Sequence, residues 1–144
     1  VSTVTITSRG QALGYMRQNP EDDFYLYTKE YLKTQIAVAL AGAVAEEMLL
    51  GESSTGCSND FEQASELAKQ MVYSGMSELG IVDKSSLPNR ILHEATSGIL
   101  TEQKKVVEEL VTERKPLLNI IVDYLMENEK IDGDLFRKFS RRAA

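Results

Sequence analysis

Apolar residues recur at helical spacing along most of this chain. Between residues 28 and 50, Leu32, Ile36, Leu40, Ala43 and Val44 fall on one side of a 3.6-residue repeat. Thr28 is placed to cap the start of that helix and Gly51 to end it. Alanines and Gly42 crowd the same stretch, so neighbouring backbones can approach closely and the helix is expected at the centre of the fold. A second helix is expected after residue 58, with Phe61, Ala64, Leu67, Ala68, Met71 and Val72 on its apolar face. Asn59, followed three residues later by Glu62, reads as its capping box. A third begins near Ser86-Leu87-Pro88, with Pro88 in its first turn, and Pro116 forces a break between residues 112 and 115. A fourth helix carries Leu117, Leu118, Ile121, Val122 and Leu125. A short fifth runs from Asp132, its cap, to Arg142.

The period changes at the start of the chain. Residues 1–7, VSTVTIT, are dense in β-branched side chains and read as a strand. Ser8-Arg9-Gly10 is a turn signal, and residues 12–16, ALGYM, return as a second strand. The expected fold is therefore mainly α: an N-terminal β-hairpin, a central long helix and a C-terminal helical bundle.

Composition narrows the function. A formal net charge of −6 argues against nucleic-acid binding, which leaves a basic face. The single cysteine, Cys57, excludes an internal disulfide and a multi-cysteine zinc site. The longest apolar run, residues 36–45, is too short to span a bilayer, so no membrane contact is expected from this segment. His93 is the only histidine, and the residue four positions on is Ser97, so its helix lacks the second imidazole of a His-Glu-x-x-His pair. No phosphate-cradling Gly-x-x-x-x-Gly-Lys loop is present, nor a Gly-x-Ser-x-Gly elbow. By spacing alone there is no complete catalytic set. Asp60, in the first turn of the second helix, suits either the helix dipole or a metal.

Four blocks, VTITSRGQALGYM, YTKEYLKTQIAVALAGAVAEEMLLG, SSTGCSNDFEQASELAKQMV and GMSELG, follow one another in a fixed order. Together with LMENEKIDGDLF they resemble the peptidase domain of FtsH-type, membrane-anchored, ATP-dependent zinc metalloproteases, over nearly the whole chain. The resemblance implies that residues 1–80 are the half carrying the zinc site, without its His-Glu-x-x-His helix, and residues 81–144 a helical region. It implies that Asp60 is the third zinc ligand. Asn59 would shape the helix start, and Glu46 or Glu47 would support the metal from outside the ligand set. Cys57 would stand where that family has a small residue, as a small buried filler and not a ligand. Leu13, Gly14, Tyr15 and Met16 would form an edge strand to which an unfolded substrate adds its backbone.

The same resemblance implies a parent that feeds damaged or unassembled membrane proteins to the zinc by ATP-driven threading. That parent would form hexameric rings, with the peptidase on the cytoplasmic or organelle-matrix side of its membrane. ATP would bind only to a separate module. Zinc is not expected to be retained by this chain, whose two nitrogen donors and catalytic glutamate are absent, so the isolated chain is expected to be inactive. Without the zinc helix, apolar surface should lie uncovered. The alternative is a non-enzymatic relative or a helical assembly module built on the same scaffold.

Overall fold

A computed structural model describes residues 3–5, 15–17 and 26–142. By packing, the chain divides into two units: Tyr25–Thr112, and a second made from Val1–Phe24 and Glu113–Ala144. Among the described residues no helix is long and apolar enough to cross a membrane.

The contiguous unit holds three helices. Helix α1 (Lys29–Leu50) starts where the Thr28 hydroxyl accepts the Tyr31 amide, and ends at Gly51, whose φ of 84° suits a residue without a Cβ. Helix α2 (Ser58–Tyr73) ends in a Schellman motif: the Met76 amide bonds to the Met71 carbonyl, and Gly75, at φ 75°, to that of Val72. Helix α3 (Asn89–Glu113) starts after Pro88, whose carbonyl accepts the Leu92 amide; proline thus precedes the helix instead of sitting in its first turn. The turn before it is organised by Asp83, which accepts from the Ser85 amide and from the Ser85 and Ser86 hydroxyls.

The core of this unit gathers Leu32, Ile36 and Leu40 from α1, Ala64, Ala68, Met71 and Val72 from α2, and Ala95 and Ile99 from α3. Thr96 is buried among them without penalty, because its hydroxyl donates to the Leu92 and His93 carbonyls of its own helix. Glu47 on α1 faces Lys104 on α3 at 3.6 Å, an exposed pair of little energetic weight.

The other unit joins the two ends of the chain. Strand β1 (Thr3–Thr5) pairs antiparallel with β2 (Tyr15–Arg17), Val4 opposite Met16, as the hairpin reading requires. The parts of the expected strands at residues 1–2, 6–7 and 12–14 lie outside the described residues. A third strand, β3 (Lys130–Asp132), pairs with the other side of β1, Val4 opposite Ile131, giving the order β2-β1-β3. Periodicity does not predict it. Helices α4 (Lys115–Asn128) and α5 (Gly133–Arg142) flank β3. Leu117, Ile121, Leu125 and the fully buried Ile131 form the core, with Val4, Leu135, Phe136 and Phe139 packed around it. Asp132 caps α5 as expected, its carboxylate accepting the Leu135 amide at 2.8 Å.

Between α4 and β3, Glu129 takes a left-handed conformation at φ 64°. Its carbonyl receives the Thr5 hydroxyl at 2.9 Å, which ties the start of the chain to this turn. A non-glycine residue there is strained, so Glu129→Gly is expected to stabilise the protein by roughly 0.5–1 kcal/mol, measured as a raised melting temperature. Ile36 has no exposed surface; Ile36→Ala is expected to cost about 2–5 kcal/mol in urea unfolding.

Candidate functional site

The last turn of α1, the loop after it and the first turn of α2 bring four polar side chains together. Gly51 turns the chain out of α1, and Ser54 starts a 3-10 turn at Thr55–Cys57, its hydroxyl accepting the Gly56 amide at 3.3 Å. That turn runs directly into α2. Helix α2 therefore begins at Ser58, with Cys57 in the cap position and no side-chain cap bond. The expected capping box is not formed. Asn59 already lies inside the helix, and its side chain is exposed. The physical reason is the preceding 3-10 turn, which winds the backbone before Asn59 can act as a cap.

Glu46 takes over the role of holding this junction. One carboxylate oxygen accepts the Ser54 amide at 3.0 Å, and the other accepts the Cys57 thiol at 3.2 Å. Hydrogen bonds from Ser54 and from the Cys57 thiol hold the Glu46 carboxyl below its ordinary value, against the opposing effect of desolvation. Burial pushes the Cys57 thiol up, helped by its hydrogen bond to Glu46 and by the nearby charges of Glu46 and Asp60. Cys57 is buried as expected, at 5% exposure, but it is also a donor. Glu47, one residue along, points to Lys104 instead.

Asp60 lies in the first turn of α2, half-buried. Among the described residues its carboxylate has no hydrogen-bond or ion-pair partner. It faces Gly42 of α1: a Cβ on that glycine would stand 3.9 Å from Asp60 Oδ2. On the same face of α1, Val38, one turn before Gly42, and Leu49, about two turns after it, are exposed. Spacing did not single out Gly42 or Ser54; the only signal for Gly42 was a glycine in mid-helix, where alanine is favoured by about 1 kcal/mol. His93 is exposed on α3.

Tyr15 and Met16 belong to β2, which has β1 on one side and no strand on the other among the described residues. Leu13 and Gly14 lie outside the described residues.

The chain matches the model of peptidase family M41 over residues 1–139. It belongs to that family. Its relatives include proteins named ATP-dependent zinc metalloprotease FtsH from Thermobaculum terrenum (36% identical), Acidobacterium capsulatum (34%) and Methylococcus capsulatus (34%). The matches cover 96%, 93% and 100% of this chain, but 25%, 24% and 26% of those proteins. The chain thus spans about a quarter of the length of the curated relatives it matches. Zinc is the metal expected in M41. Among the described residues no group of three histidine, cysteine, aspartate or glutamate side chains is close enough to hold a metal. Asp60 is an oxygen donor left without a partner among the described residues, and no second donor stands grouped with it there.

Two measurements check this geometry. Cys57 should react slowly with a thiol reagent at neutral pH, and faster in Glu46→Gln, which removes a charge and loosens the thiol's partner. The Glu46 carboxyl is held below its ordinary value of 4.5. Its contribution to stability is therefore present at neutral pH and lost as pH falls below 4.5 through the folded value. The difference in melting temperature between wild type and Glu46→Gln should shrink over that acid range and be unchanged above it.

Proposed function

We propose that this chain is the greater part of the peptidase domain of an FtsH-like, ATP-dependent zinc metalloendopeptidase, and that Asp60 is its third zinc ligand. Residues 1–80 form the half that carries the site and residues 81–144 the helical region. The observation that carries the reading is the Asp60 carboxylate: half-buried, without a partner among the described residues, and set over Gly42 on the face of α1 that exposes Val38 and Leu49. Membership in M41 and the names of the relatives support the metal and the reaction class. In this reading the two nitrogen donors and the catalytic glutamate belong to a His-Glu-x-x-His helix outside this chain, packed on that face. Bound zinc in such sites lowers the pKa of a water for attack on a peptide carbonyl. The residues of this chain orient one ligand and cover the site's flank.

The substrates are unfolded proteins, among them damaged or unassembled membrane proteins. The side of β2 that has no strand beside it among the described residues suits addition of an extended substrate backbone, whose amides and carbonyls would continue the ladder. ATP is bound by a separate module, the ring is a hexamer, and the domain stands on the cytoplasmic or matrix side of the membrane. Glu46 is the member of the acidic pair that supports the site, because Glu47 is turned to α3.

Casein and zinc test the reading. This chain alone should not cleave casein with zinc added, whereas the full-length protein should do so with ATP and zinc. Asp60→Ala in the full-length protein should abolish both the cleavage and zinc retention while the protein stays folded. Zinc-stimulated cleavage by this chain alone, or full zinc retention in Asp60→Ala, would overturn it.

A further inference from the structure

Helix α2 has no side-chain cap of its own, yet its first turn carries the residue on which the proposed site depends. What fixes that end of the helix is the carboxylate of Glu46, which spans from the last turn of α1 to both ends of the 54–57 turn. Cys57 is the cap residue, three positions before Asp60. At about 1.5 Å rise per residue in a helix, less than one turn separates them, so a displacement of Cys57 passes to Asp60 with little loss. The thiol is held from two sides: it is buried, and it donates to a carboxylate that stays ionised at neutral pH.

We infer that Glu46 is a positioning residue for Asp60, acting through the Ser54 amide and the Cys57 thiol to set where α2 begins and where its first carboxylate points. Glu46 does not touch Asp60, and its effect is transmitted by the turn. Glu47 is the internal comparison: the same residue type, one position away, engaged with Lys104 of α3 instead of the turn. The Cys57 contact makes its own demand. A hydroxyl can replace the thiol as donor to Glu46, and a methyl group cannot. The inference rests on the reading of Asp60 given above.

Amide exchange in the 144-residue chain tests the clamp directly. In Glu46→Ala the Ser54 amide should exchange at least about tenfold faster, with the first-turn amides of α2 following, and in Glu47→Ala neither should change. Cys57→Ser should keep the protection and Cys57→Ala should lose part of it. Glu46→Gln, which keeps one acceptor oxygen, should fall between wild type and Glu46→Ala and stands in for it should the alanine variant not fold. Zinc affinity of the full-length protein, read by chelator competition, should fall about 10–100-fold in Glu46→Ala and stay within a factor of two in Glu47→Ala. Unchanged Ser54 exchange in Glu46→Ala, or unchanged zinc affinity there, overturns the inference. Full zinc affinity in Asp60→Ala overturns the reading of Asp60 instead, and leaves the exchange result standing by itself.

Discussion

The close contact between α1 and α2 is the constraint on which the contiguous unit rests. Ala39 and Ala43 on one helix and Ala64 and Ala68 on the other are all buried, the latter two without exposed surface. Such small side chains let two backbones approach, while Leu32, Ile36, Met71 and Val72 are buried in the same core. The approach has a further consequence. It brings the first turn of α2 against Gly42, and places a carboxylate where neither helix offers it a donor. Among the described residues that carboxylate is left without a partner.

Around that point the polar groups divide their tasks. Glu46 is fully engaged by its own chain, with one oxygen on an amide and the other on a thiol. Asp60 is engaged by nothing described. The contrast separates a carboxylate that builds the structure from one the structure presents. It also accounts for a buried thiol in a loop of serines and glycines: Cys57 donates to Glu46, and burial and neighbouring negative charge both oppose its thiolate.

Much of this was legible in the sequence because the helices are written in local signals. Thr28 and Gly51 bound α1 as expected, Asp132 caps α5, and the break before Pro116 falls between Glu113 and Lys115. The failures have a common origin in contacts between residues distant along the chain. The start of α2 depends on a carboxylate eleven residues earlier, so the Asn59–Glu62 spacing was a misleading guide. Strand β3 is three residues long with one apolar side chain, Ile131, between Lys130 and Asp132, and carries no alternation to detect; only its partner β1 makes it a strand. Asp60 was found by resemblance to a family, and no local pattern distinguished it from an ordinary first-turn acid.

The central place of β1 in its sheet bears on how that unit assembles. One of its partners, β2, is close along the chain, whereas the other, β3, is far away in sequence. Helices α1, α2 and α3 lie between them in one continuous stretch that forms a unit of its own and can close first. Until β3 docks, β1 offers an open backbone edge and a bare Val4 to whatever is nearby. Mispairing along that edge is the hazard that the return of residues 130–132 removes.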